Sequence, residues 1–575
     1  MKRYWKYIRP YIQYYILGPC FMMMEVVGDV LLPYMLAKII NQGIAEKNVA
    51  YIIKIGAIMG FIAVIMAVGG VLGAWFASKA AMNFGADLRM DLFEKIQQFS
   101  FQNIDNFSTG SLITRLTNDI TQIQNMIMMT LRMCLRSPGI LIGAMVMAFV
   151  ISPKLAAIFI IVLPVLAVLI VVIMRRAFPQ FRTLQEKLDA LNSCIQEGLV
   201  GIRLIKSFVR GDYEEMRFEK RNQQLKEANL TAMKTMLLYT PLMTLALNIT
   251  TVVVVWSGGN MIVAGNMQVG DLTAFTNYIV QIMSSLTMLS IAFLNWARAI
   301  ASFRRVGEVL DEKIDLTDEN AKHKDRAVCE GSVEFQNVSF RYYKNSPEWV
   351  IENISFKLEA GKTLGIIGST GSGKSTLVSM IPRLYDTDEG TVLVDGINVR
   401  DYGLKPLREG IGMVLQNNTL FSGSITENLK WGDEDADEKA VRKAAQNAQA
   451  AGFIDSFKDG YRTRLEQSGN NVSGGQKQRL CIARALLKCP KILILDDSTS
   501  AVDTATERAI REALHSEYKD MTKIIIAQRI RSVMDADEIL VLDNGKTAGF
   551  GTHEQLLADC PVYREIYDVQ NGREE

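Results

Sequence analysis

Eight residues, Gly368-Ser369-Thr370-Gly371-Ser372-Gly373-Lys374-Ser375, match the spacing G-x-x-x-x-G-K-[ST] directly after the strand-like run TLGIIG. Glycines there free successive backbone N–H groups to wrap a phosphate chain. Lys374 has the reach to touch its β and γ oxygens, and the Ser375 hydroxyl can ligate Mg²⁺, with Thr376 completing the set. A second apolar run, Lys491 to Leu495, ends in Asp496-Asp497, where the first acid suits the metal and the next position faces an attacking water. Between them, Val472-Ser473-Gly474-Gly475-Gln476 precedes the helical stretch KQRLCIARALL. A serine and two glycines at a helix N-terminus make an anion site. Because the chain already has a P-loop, this one is expected to contact a second, separate phosphate across a dimer.

Two further acids stand where acids are costly. Glu25 and Asp29 fall at i and i+4 inside an apolar run, hence on one helix face, beside Met22, Met23 and Met24. They either face a cavity, favouring cationic amphipathic ligands against an adaptable methionine wall, or pair with a basic residue or headgroup.

The elements that must position these groups follow from composition. At 575 residues the chain needs several domains, and 63 Lys plus Arg against 61 Asp plus Glu is too balanced for a nucleic-acid partner. Seven cysteines without a CxxC pair suggest reduced thiols, and the start MKRYWKYIRP lacks a signal-peptide cleavage site. Residues 55–77, 155–174, 235–265 and 272–297 contain no charged side chain, and each is long enough to cross a bilayer. With 13–37, and with 137–152 extended past Arg136, six spans are expected. Lys and Arg number four in the first ten residues, six over 78–136 and twelve over 175–234, against few in the alternate connections; both termini are therefore predicted to be cytoplasmic. The two long cytoplasmic connections carry helical spacing, as in Leu88, Leu92, Phe93, Ile96 and Phe99. Short transverse helices are expected at their polar tips near Thr109 and Asp212. After a polar stretch the pattern changes to strands and βα units. The boundaries read 1–310 for a six-helix membrane domain, 311–331 for a linker and 332–575 for a cytoplasmic α/β P-loop domain.

Taken together these motifs resemble one half of an ABC transporter of the exporter type, and the likeness runs over essentially the whole chain. Its marks are GSTGSGKS, VSGGQ (Val472 standing where the family usually has Leu), ILILDD and the D-loop Ser500-Ala501-Val502-Asp503. The resemblance implies ATP and Mg²⁺ as cofactors, Tyr342 stacking on adenine, Gln416 as the Q-loop residue between metal and membrane domain, and 463–469 as the X-loop. By the same likeness, the tips near Thr109 and Asp212 would dock on ATPase domains. Two positions depart from the family pattern: Asp497 stands where the general base is usually Glu, and Gln528 where a switch histidine is usual. The expected function is an ATP-driven exporter of amphipathic drugs or other hydrophobic compounds, in a bacterial plasma membrane. It would work as a heterodimer whose partner half-transporter uses this chain's Ser473 to Gln476, while its own site is degenerate. The rivals are a lipid or peptide exporter of the family and an ATP-gated regulatory membrane protein.

Overall fold

The computed structural model describes residues 2–344, 346–498 and 502–570, without the side chains of Lys2 and of residues 290, 291, 293–295, 297 and 298. The chain forms two compact units, one of residues 1–97 with 110–311, the other of residues 98–109 with 312–575.

The first unit is helical. Ile12–Lys38 is one helix, and Val49–Gln97 and Pro153–Val200 run for 49 and 48 residues. At a rise of 1.5 Å per residue such helices reach about 70 Å, more than twice a hydrocarbon core, so each continues well beyond the bilayer. Five helical stretches among the described residues are long and apolar enough to cross a membrane: Trp5–Ile44, Val49–Gln97, Thr109–Ile151, Pro153–Val200 and Gly211–Val263. The sixth expected run, 272–297, lies in the continuous helix Val269–Asp311, several of whose side chains fall outside the described residues. The third span extends past Arg136 as expected but breaks at Cys134 and Leu135, which leaves Ile120–Met133 and Arg136–Ile151 as separate helices. The spans pack through small residues. Ala37, Ala144, Ala148 and Ala156 are buried with Phe159 and Phe275, whose rings stack 5.4 Å apart. Tyr278 donates to the Val30 carbonyl at 2.7 Å, which satisfies a hydroxyl buried in this core.

The short helices differ from expectation in place. They are Phe101–Asp105 and Ile202–Ser207, upstream of the polar tips at Thr109 and Asp212, where new helices have already begun (Thr109–Thr114 and Gly211–Leu237). The cause is capping. Ser100 and Asn103 satisfy each other's backbone N–H groups in a capping box. The second short helix ends where Arg210 N–H bonds back to the Ile205 carbonyl and Val209 takes φ 52°.

The second unit holds a six-stranded sheet in the order Lys546–Gly551, Glu538–Asp543, Thr363–Gly368, Thr522–Ile526, Ile492–Asp496, Ile411–Val414. The first pair is antiparallel and the rest are parallel. A four-stranded antiparallel sheet, built on Val333–Phe340 and Ile351–Leu358, packs beside it. The segment 98–109 belongs to this unit. Asn103 donates to Glu312 and to the Lys313 carbonyl at 3.1 and 2.9 Å, and Tyr385 donates to Asp105 at 2.8 Å.

Candidate functional site

Strand Thr363–Gly368 lies between two parallel neighbours, and the loop after it opens at the carboxyl end of the sheet, where open α/β folds bind ligands. Glycine is required here on two counts. A Cβ on Gly368 would lie 2.1 Å from the Leu542 carbonyl oxygen, and Gly373 has φ +91° with a Cβ position 2.9 Å from the Val350 oxygen. Lys374 opens the following helix. Its ammonium donates to the carbonyls of Gly368 and Ser369 at 2.9 and 2.7 Å, so it lies across the loop that the sequence assigns to phosphates. Burial lowers its pKa, and the charges of Asp496 and Asp497 oppose that shift.

Ser375 Oγ donates to Asp496 Oδ1 at 3.0 Å, which brings together two of the three expected metal ligands, the third being Gln416. Burial raises the Asp496 pKa and the Asp497 charge adds to that, while the Ser375 bond and Lys374 lower it. A hydroxyl and a carboxylate are hard oxygen donors and fit Mg²⁺. Among the described residues no group of three or more His, Cys, Asp or Glu side chains could hold a metal, so the remaining ligands would be the Gln416 amide oxygen, phosphate oxygens or water. Asp497 follows in the left-handed region at φ 47°. Gln528 Nε2 donates to its Oδ2 at 2.8 Å, and Gln416 also hydrogen-bonds its carboxylate, yet burial still raises its pKa. Gln528, at the expected switch position, and Gln416, at the expected Q-loop position, thus both contact the Asp497 carboxylate.

Tyr342 hydrogen-bonds Thr376 Oγ1 at 2.9 Å, and its ring stands edge-on to Phe340 and Tyr385 at 5.1 and 5.3 Å. This fixes an exposed aromatic face close to the P-loop helix. Ser473 caps the helix Gly474–Leu487 in a reciprocal box with Gln476. That helix buries Leu480, Cys481 and Ile482 in one hydrophobic cluster, whereas the P-loop helix buries Leu377 and Val378 in another. Asp503 caps the helix Thr504–Glu517 by accepting from Thr506 N, and this bond is the first cause of its lowered pKa. Ser500 and Ala501 lie outside the described residues.

Sequence reasoning missed Gln570. Its side chain donates to the Gln528 carbonyl and accepts from Ile530 N–H, both at 2.8 Å, and so holds the switch segment from the last described helix. In the membrane unit, Glu25 and Asp29 do meet a basic residue. Arg136 Nη2 lies 2.8 Å from Glu25 Oε1 and 3.3 Å from Asp29 Oδ2, which is the paired alternative left open by their spacing. Arg136 went unnoticed as their partner because it lies 111 residues beyond Glu25.

A P-loop on a central parallel strand, a separate capped signature helix and a preceding bundle of membrane-crossing helices together define an ABC exporter with its transmembrane and ATPase parts on one chain. The model of the ABC transporter transmembrane region matches residues 15–286, and the ABC transporter ATPase model matches 351–500. An uncharacterized ABC transporter ATP-binding protein of Bacillus subtilis (strain 168), YfiB, is 39% identical over 574 residues, covering 100% of this chain and 99% of that protein. The putative multidrug export ATP-binding/permease protein YgaD of the same organism is 34% identical over 584 residues, covering 99% of each. The structure of a bacterial Atm1-family ABC exporter with ATP bound has the same fold, with TM-score 0.81 at 24% identity and 98% of each chain covered. This chain belongs to the ABC transporter family. It is a multi-pass membrane protein whose cytoplasmic ATPase unit couples ATP hydrolysis to transport.

Proposed function

We propose that this chain is one half of a heterodimeric exporter of amphipathic compounds, that its own P-loop site hydrolyses ATP slowly, and that its signature helix completes the partner's active site. The observation that carries this reading is the contact between Asp497 and Gln528. Asp is one methylene shorter than Glu, which holds the carboxylate about 1.5 Å farther from a water, and ångström-scale misplacement costs on the order of 10²-fold in rate. The Gln528 amide is also turned onto that carboxylate, and an amide carries neither a proton nor a positive charge. A pair of such sites would drive a pump poorly. The intact cap of Ser473, by contrast, suits a helix N-terminus aimed at a partner's nucleotide.

In this chain's own site, Gly368 to Gly373 would cradle the phosphates of ATP, with Lys374 pairing with their oxygens. Ser375, Asp496 and Gln416 would hold Mg²⁺, which when bound neutralises phosphate charge. Tyr342 would stack on adenine. Glu25 and Asp29 would serve the substrate path through Arg136. A multidrug-type substrate range is favoured by the likeness to YgaD.

The test is a pair of variants in the complex purified from membranes with its natural partner. Ser473→Ala should lower ATPase by roughly 10²-fold, as loss of a transition-state donor does, whereas Asp497→Asn should change it less than about 2-fold. Robust hydrolysis by this chain purified alone, lost on Asp497→Asn, would overturn the heterodimer.

A further inference from the structure

A cavity of about 400 Å³ lies among the membrane helices, lined by five methionines, Gly70, Glu25, Arg132 and Arg136. Its charges are unequally engaged. Glu25 and Asp29 both pair with the same nitrogen, Nη2 of Arg136. Arg136 Nε is buried and has no hydrogen-bond partner. Arg132 makes no ion pair with a carboxylate among the described residues. The acids are thus spoken for, while guanidinium donors remain.

We propose that this cavity binds the anionic group of an amphipathic substrate on Arg132, with Arg136 in support, so that the exporter selects organic anions over cations; this rests on the exporter reading above. Arg132 stands on the cavity wall with no carboxylate partner among the described residues, and its planar fork matches a carboxylate. A cationic ligand would have to pull Glu25 from Arg136 while facing Arg132. The methionine wall, including Met22, Met128 and Met133, is soft enough to fit varied apolar bodies. Gly70 keeps the approach open, since a Cβ there would lie 3.3 Å from Glu25 Oε2. The charge preference is the reverse of the one that Glu25 and Asp29 suggest by sequence alone.

The experiment uses the full complex in phosphatidylcholine nanodiscs, with two fluorescent probes of equal length, a dansyl-labelled undecanoic acid and a dansyl-labelled undecylamine. The carboxylate should bind at least about 10-fold tighter than the amine. Arg132→Glu should cancel or invert that ratio, and Arg132→Lys should retain part of it. If Arg132→Glu fails to assemble, Arg132→Gln must weaken carboxylate binding about 10-fold. Equal binding of both probes, tighter binding of the amine, or a ratio indifferent to Arg132 overturns the proposal. Inverted vesicles separate the two readings. ATP-driven accumulation of both probes without charge preference sinks the anion site and keeps the exporter. A binding preference without accumulation of either probe keeps the site and counts against export of its ligands.

Discussion

Lys374 with Asp496 and Asp497 in the ATPase unit, and Arg136 with Glu25 and Asp29 in the membrane unit, are each one cation beside two carboxylates. They satisfy their charges differently. The Lys374 ammonium bonds backbone carbonyls, and its acids bond neutral donors, Ser375 on one and Gln528 and Gln416 on the other. The Lys374 ammonium and the Asp496 carboxylate are thus held by neutral partners, so a polyanion and a metal can recruit them. In the membrane unit one guanidinium nitrogen contacts both acids. That triad closes on itself, and recognition is left to Arg132 on the cavity wall. Neutral partners keep charge available for a ligand, whereas direct pairing spends it on the fold.

The strongest way to sharpen the contrast is to repair the ATPase cluster. Asp497→Glu combined with Gln528→His should raise hydrolysis by this chain purified alone by roughly 10- to 100-fold, because the longer carboxylate recovers its reach and the imidazole can carry charge. Unchanged phosphate release from the double variant would mean that some other feature limits the site. A smaller effect should come from opening the membrane triad. Arg136→Gln leaves Glu25 and Asp29 facing each other. Their side chains are about a quarter exposed, so the cost should be about 1–3 kcal/mol, below that of a fully buried pair. It would be read as a lower unfolding temperature in nanodiscs. Adding Glu25→Gln and Asp29→Asn should restore most of the loss, since no charge is then left unpaired. If the triple variant stays as unstable as the single one, the triad is packing and not charge pairing.

The two clusters also differ in how far the sequence reveals them. The P-loop is eight contiguous residues after a strand, and Asp496 ends a strand of its own with Asp497 next to it, so spacing alone identifies their chemistry. What spacing does not carry is contact between distant segments: Gln570 reaches Gln528 across 42 residues, and Arg136 reaches Glu25 across 111. The spans were readable because a bilayer demands long uncharged runs, with the third least clear because a turn at Cys134 and Leu135 interrupts it. The short helices lie upstream of the polar tips for a local reason. Polar composition marked Thr109 and Asp212, but the capping box at Ser100 and the left-handed residue Val209 set the actual ends.

The smallest effect tests whether the acids of the ATPase cluster communicate. Under the assignment of Asp496 to Mg²⁺, metal-dependent nucleotide binding needs this carboxylate ionised, so affinity falls as pH drops through its raised pKa. Burial, the first cause of that rise, is untouched by Asp497→Asn, but the repulsion from Asp497 disappears. The Asp496 pKa then falls, and the acid limb of the binding profile moves to lower pH. On the alkaline side binding needs the Lys374 ammonium. Burial lowers its pKa, and the Asp497 charge partly raises it again. Removing that charge lowers the Lys374 pKa further, so affinity is lost earlier as pH rises, and the alkaline limb also moves to lower pH. Asp497→Asn should therefore displace both limbs of a trinitrophenyl-ATP binding profile, measured with Mg²⁺, in the same acidic direction. Limbs that move apart, or an acid limb that moves up, would show that Asp497 acts on this site through its hydrogen bonds to Gln528 and Gln416 and not through its charge.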